Sequence, residues 1–161
     1  MSVHHRLTCG DTGASALQVV DADVPRMDPA HRRVTAVAVG VLMRPSGEFL
    51  LTTRPPGKAY AGHWEFPGGK LEAGETVAQA LARELEEELG IRIHAPELWR
   101  EQVVDYPHAL VRLHFCKVRH WAGELQMREG QAFSWQQLPV TVQPVLAGTL
   151  PVLRWLEENN S

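Results

Sequence analysis

From Thr76 to Gly90 the chain reads TVAQALARELEEELG, a run whose apolar period, start and stop all predict a helix. Thr76 stands at the N-cap, Gln79 three residues on completes a capping box, and Gly90 ends the run, so the helix extends to about Leu89. At about 100° per residue, Leu81, Leu85 and Leu89 share one stripe with Ala78 and Ala82, a face suited to lie on a sheet. Glu84, Glu87 and Glu88 stand at i, i+3 and i+4 and converge on a second face, with Arg83 and Glu86 at its flanks.

That second face is costly. Like charges at these spacings repel, and carboxylates in the last turns of a helix oppose its macrodipole. Taken singly, each glutamate reads as part of a solvated acidic face; taken together, their spacing calls for a bound cation. Hard oxygen ligands without nearby cysteine favour Mg²⁺ or Mn²⁺ over zinc, and Mg²⁺ is usually held by few carboxylates together with substrate phosphates. A phosphate ester is the substrate class this chemistry suggests.

Around the helix the pattern is mixed. Val34 to Met43 is β-branched and apolar, as in a buried central strand, and Pro45-Ser46-Gly47 predicts a turn into a second strand, Glu48 to Thr53, as a hairpin. Arg54 to Gly62 is a Pro- and Gly-rich loop leading to His63-Trp64-Glu65-Phe66 and then Pro67-Gly68-Gly69, where glycine lets backbone approach a ligand. Further strands are expected at about 98–104, 110–118 and 132–135, and a second helix at about 149–158. Residues 1–31 show no sustained period and read as a loosely ordered extension, leaving 32–161 as the folded domain.

With 161 residues, 44% of them hydrophobic, one domain with one sizeable core is expected. A net charge of −3 offers no broad basic surface, so extended nucleic-acid binding is disfavoured and a small charge-compensated nucleotide fits better. Cys9 and Cys116 lack metal-ligand spacing and read as free thiols of a reducing cytoplasm. No stretch approaches the about 20 apolar residues of a membrane span, and no secretory signal is evident, so a soluble, cytoplasmic monomer or homodimer is expected. Tryptophans 99, 121, 135 and 155 read as packing residues.

The run from Gly69 to Ile91 resembles the signature of the Nudix hydrolases, G-x5-E-x7-R-E-U-x-E-E-x-G-U, with U a bulky aliphatic residue. Gly69, Glu75, Arg83, Glu84, Leu85, Glu87, Glu88, Gly90 and Ile91 fill every specified position. At ordinary residue usage such a match has a chance on the order of 10⁻⁹ per start. Trp64-Glu65-Phe66-Pro67-Gly68-Gly69-Lys70 resembles the MutT branch, and the likeness runs from about Val34 to Leu156. This resemblance implies an α/β fold, the α/β/α Nudix sandwich with a mixed β-sheet between helical layers. It also implies metal-dependent hydrolysis of a nucleoside triphosphate to monophosphate and pyrophosphate, as in removal of 8-oxo-dGTP from the nucleotide pool.

Carried over residue by residue, the resemblance assigns Glu84, Glu87, Glu88 and the Gly68 carbonyl to the metal, here Mg²⁺ with Mn²⁺ as substitute. Arg83 holds the glutamates, while Glu75, with Gly69 and Gly90, supports the loop and helix ends. Glu129, in Arg128-Glu129-Gly130-Gln131, resembles an additional metal-facing glutamate. Glu84 is the expected general base, with Glu129 competing. Arg54 matches an arginine that grips phosphates, and Lys70 reads either as a second phosphate contact or as a solvated residue.

The base end departs from the branch. Thr149 stands where the MutT branch places a base-reading Asn and reads equally as an N-cap, the reading favoured here. Tyr106 replaces a Phe, and His108 and Ala109 replace an Asp and an Arg. Val37, Phe66 and Tyr106 sandwich a purine in this reading, although Val37 and Phe66 also suit a simple core. The competing functions are a Nudix hydrolase for ADP-ribose, a dinucleotide or dihydroneopterin triphosphate, and a non-catalytic nucleotide-binding module, which the intact box argues against.

Overall fold

A computed structural model describes residues 17–26 and 32–159. Ten strands and two helices follow in chain order: β1 (Gln18–Val19), β2 (Val34–Leu42), β3 (Phe49–Thr53), β4 (Trp64–Glu65), β5 (Gly68–Lys70), α1 (Val77–Leu89), β6 (Arg92–His94), β7 (Glu97–Tyr106), β8 (Ala109–Val118), β9 (His120–Ala122), β10 (Phe133–Gln136) and α2 (Leu150–Glu158). The main sheet has the order β1-β7-β8-β2-β5; β10-β3-β4 and β6-β9 form two smaller sheets. Its ladders are mixed, with β2 parallel to β8 and β1 parallel to β7, while β7–β8 and β2–β5 are antiparallel.

Strand alternation divides the apolar residues between two layers. Ala38 and Leu42 of β2, Leu50 of β3, and Cys116 and Val118 of β8 pack with Ala80, Leu81, Leu85 and Leu89 of α1. Their neighbours Val39, Val41, Phe49, Leu51 and Phe115 pack with Val152, Trp155 and Leu156 of α2. Helices on opposite faces of mixed strands make the expected α/β/α sandwich. Gly40 lets α1 sit close, since a Cβ there would lie 3.3 Å from the Leu81 and Leu85 methyl groups.

Three expectations need correction. The hairpin is not formed: β2 lies between β8 and β5, while β3 pairs with β10 and β4, and only the bridge Met43↔Phe49 joins the two strands. Both edges of β2 are occupied by non-local partners, so β3 turns away to start another sheet. Ala80, and not Ala78, is the buried alanine of α1. Within the extension expected to be loose, residues 17–26 add strand β1 to the edge of the main sheet, where Gln18 pairs with Val104.

Of the two thiols, Cys116 is buried and free, and Cys9 lies outside the described residues. Trp155 is in the core, Trp99 meets it edge-on at 5.7 Å, and Trp121 stacks on Trp135 at 6.0 Å. Among the described residues, no helix is long and apolar enough to cross a membrane.

Candidate active site

The capping box of α1 is complete: Thr76 Oγ1 accepts from the Gln79 backbone N–H at 3.1 Å, and the Thr76 N–H donates to Gln79 Oε1 at 2.9 Å. At the other end Gly90 takes a left-handed φ of 69° and donates to the Glu86 carbonyl. Residues 126–128 then close the helix. The Gln126 and Arg128 N–H groups donate to the Leu89 and Glu88 carbonyls, and the Arg128 guanidinium donates to the Glu86 carbonyl at 2.9 Å. A cation at a helix C-terminus opposes the macrodipole penalty that the glutamates incur. The same closure brings the charge of Glu129 against Glu88.

At about 100° per residue, Glu84 and Glu88 fall within the stripe bounded by Ala80 and Leu85. They therefore face the sheet and do not form a separate face. Two glycines in β5 meet different neighbours, Gly69 leaving room for Glu84 and Gly68 for the backbone of β2. A Cβ on Gly69 would lie 2.2 Å from the Glu84 carboxyl carbon, and one on Gly68 would lie 2.0 Å from the Ala38 carbonyl oxygen.

Arg83 fixes the outer side of this cluster. Its Nε donates to Glu75 Oε2 and its Nη2 to Glu75 Oε1, both at 2.8 Å, while Nη1 donates to Glu84 Oε1 at 2.8 Å. Two parallel bonds to one carboxylate fix orientation as well as charge. The Arg83 guanidinium and the Glu72 N–H hold the Glu75 carboxyl well below its ordinary range, at about 2. At Glu88 the opposing charge of Lys58 is outweighed. Burial, then the charges of Glu129 and Glu84, push its carboxyl up to about 9.

These side chains open onto a cavity of about 540 Å³, within the range of small-molecule sites. Its lining includes Gly68, Gly69, Lys70, Glu84, Glu88 and Arg54. It also includes Val37, Phe66, Tyr106, His108, Gly148 and Thr149. The expected phosphate and base residues therefore share one cavity. Glu87 is different: its side chain is 60% exposed and stands 3.5 Å from Arg83, outside the lining. Glu129 and Arg83 also lie outside the lining, one beside Glu88 and the other behind Glu84.

Arg54 is held from two sides. Its Nε donates to the Ala59 carbonyl at 2.6 Å and its Nη1 to both Glu65 oxygens at 3.2 Å. Glu65, Lys58 and Tyr60 also line the cavity and are absent from the sequence expectation. Burial raises the Glu65 carboxyl and Arg54 opposes that rise. The Trp64–Phe66 strand pattern offered a signal for Glu65, since Glu65 alternates with Trp64 and Phe66 across a short strand.

At the base end the Tyr106 hydroxyl accepts from the buried Gly148 N–H at 3.0 Å, and burial raises the phenol to about 12. His108 is lowered, first by partial burial and then by Arg54, Arg32 and Lys70. Thr149 corrects the capping expectation. It sits at the N-terminus of α2 with αR backbone and makes no side-chain cap, because a 3₁₀ turn over 147–149 already leads into the helix. Its side chain is 3% exposed and lines the cavity.

The donor set suits a hard divalent cation. Glu84 and Glu88 lie together under a third carboxylate charge, and Glu88 retains a proton where a cation would displace it. Among the described residues, no three His, Cys, Asp or Glu side chains stand close enough to enclose an ion on their own. A Mg²⁺ ion that completes its shell with substrate phosphate needs no such enclosure.

Comparison with known proteins agrees with the fold. The chain is 42% identical over 104 residues to the 8-oxo-dGTP diphosphatase of Haemophilus influenzae, covering 65% of this chain and 76% of that one. It is 36% identical over 116 residues to the CTP pyrophosphohydrolase of Escherichia coli, covering 71% and 86%. Among solved structures, MutT from Aliivibrio salmonicida and Vibrio cholerae superposes with a TM-score of 0.65 at 29% identity, covering 79% of this chain and 99% of that one. The family model of the NUDIX domain matches residues 32–156, and this chain therefore belongs to the Nudix family.

Proposed function

We propose that this Nudix protein is a Mg²⁺-dependent hydrolase that cleaves a nucleoside triphosphate to the monophosphate and pyrophosphate. The supporting observation is one cavity lined by two kinds of group: carboxylates, glycine backbone, Arg54 and Lys70, assigned here as its phosphate end, and apolar and aromatic side chains, assigned as its base end. Bound Mg²⁺ neutralises phosphate charge and lowers the pKa of water.

The chain's own groups do the rest. Arg54, whose Nη2 has no partner among the described residues, clamps a phosphate while Glu65 and Ala59 hold its orientation. Gly68 and Gly69 let the triphosphate lie against backbone, and Lys70 adds charge at the rim. Glu84, fixed by Arg83 and facing the cavity, takes the proton of the attacking water; Glu129 is the less suitable base because it lies outside the lining. Glu88 and the Gly68 carbonyl hold the metal, with Glu87 and Glu129 as outer contributors. Val37, Phe66 and Tyr106 receive the base, and His108 and Thr149 border it.

For the base itself, 8-oxo-dGTP is the first substrate, by likeness to relatives of that activity. CTP is the second reading, favoured by the CTP pyrophosphohydrolase likeness and by a Thr149 hydroxyl in place of an amide. Incubation with Mg²⁺ and 8-oxo-dGTP, dGTP, CTP or ADP-ribose, with products separated, tests the reading. Pyrophosphate release from a triphosphate is expected; orthophosphate release alone, or cleavage of ADP-ribose alone, would remove it.

A further inference from the structure

The family match begins at residue 32, yet residues 17–26 pack behind the cavity, against Tyr60, Val104, Tyr106 and Ala147. Strand β1 pairs with β7 at Val104 and Asp105, two and one residues before Tyr106. Val20 packs in the small cluster of Val104, Tyr106 and Leu146, beside Tyr60, Val111, Leu113 and Ala147. Gln18 Nε2 donates to the Ala147 carbonyl at 2.9 Å, next to Gly148 and Thr149. Arg26 closes the turn by donating to the Asp21, Val24 and Val20 carbonyls, and it anchors to β7 through the Asp105 carbonyl at 3.0 Å and carboxylate at 3.4 Å.

The far end of this segment reaches Tyr60. The phenol donates to Asp21 Oδ2 at 2.6 Å, and the Tyr60 backbone takes a left-handed φ of 58°, unusual for an aromatic residue. The ring lies 5.6 Å from Tyr106 and 5.8 Å from His108, and its side chain lines the cavity. Tyr60 belongs to the 54–63 loop, so this hydrogen bond adds a polar tie to the apolar and ring contacts that join the loop to the β7–β8 wall.

We propose that residues 17–26 form a clasp over the base end of the cavity and that Asp21 is a positioning residue, acting through Tyr60 on nucleobase recognition. The clasp touches the three separate segments that border this end: the 54–63 loop through Asp21, the β7–β8 wall through β1 and Arg26, and the 147–149 turn through Gln18. The proposal rests on the nucleotide reading above, and it assigns to this segment a share in base selection.

Steady-state kinetics of the full chain with Mg²⁺ tests it, using 8-oxo-dGTP, dGTP and CTP as substrates and inorganic tripolyphosphate as an inhibitor that carries no base. Asp21→Ala and Tyr60→Phe each raise KM about threefold to tenfold with kcat nearly constant, as expected for loss of one charge-assisted hydrogen bond. The double variant is no worse than either single one, because both remove the same bond. Asp21→Asn, which keeps an acceptor for the phenol, recovers most of the KM. The inhibition constant of tripolyphosphate stays where it was. An unchanged KM in Asp21→Ala, or a tripolyphosphate constant that rises in step with KM, overturns the clasp. No turnover of any triphosphate by the unaltered chain overturns the functional reading itself, which separates the two failures.

Discussion

The two ends of the cavity are built in opposite ways. The acidic cluster of the phosphate end is local: β5, the loop after it and α1 occupy residues 68–89, where Arg83 holds Glu75 and Glu84, and Arg54 and Glu129 join it from outside that span. The base end gathers Val37, Tyr60, Phe66, Tyr106, His108, Thr149 and the clasp from five stretches of chain. Charge chemistry in this protein is thus encoded in a short run, whereas recognition depends on how distant segments dock. Changes at the first end should act on kcat, and changes at the second on KM and base preference.

The largest effect should come from Glu84→Gln. If Glu84 is the base, kcat falls by about 10²- to 10⁴-fold while nucleotide affinity is nearly unchanged, read by single-turnover kinetics beside binding of the uncleaved nucleotide. An unaltered kcat removes Glu84 from that role. Gly69→Ala comes next. Its Cβ would occupy the place of the Glu84 carboxyl, so kcat is expected to fall by about 10²-fold or more although no charged group is lost. Full activity in that variant would mean that Glu84 works from another position.

The opposite end gives smaller and different effects. Tyr106→Phe leaves the buried Gly148 N–H without its acceptor and should cost about 1–3 kcal/mol of stability, seen in urea unfolding, with KM raised and kcat retained. A fall in kcat alone would blur the division between the ends. Next is a pH effect at Glu88, whose folded value of about 9 stands above its ordinary 4.5. Between those values the folded chain holds a proton that the unfolded chain has released, so metal-free stability falls as pH rises. Thermal unfolding in EDTA at pH 6 and pH 9 checks the slope, and Glu88→Gln should flatten it. The smallest effect is expected for Lys70→Ala, whose exposed side chain should change KM by about threefold or less.

The same contrast explains what could be read before the fold was known. The capping box and the Gly90 stop are contacts within a few turns of one helix, and their residue types carry them. The β2–β3 hairpin was misread because the turn at 45–47 is local, while the partners that occupy both edges of β2 lie at residues 68–70 and 109–118. Placing the glutamates on a separate face overlooked that Gly69 in the neighbouring strand admits the Glu84 carboxylate to the packed stripe. Thr149 lost its cap because the preceding turn was already helical, and Asp21 and Tyr60 meet across 39 residues of sequence, which no periodicity records.

The most direct test of this division is a structure of the Glu84→Gln protein with Mg²⁺ and an uncleaved nucleoside triphosphate. The account predicts phosphates against Gly68–Lys70 and Arg54, a metal beside Glu88, and the base between Phe66 and Tyr106 under Tyr60. A base lying at the glutamates, or phosphates among the tyrosines, would contradict it.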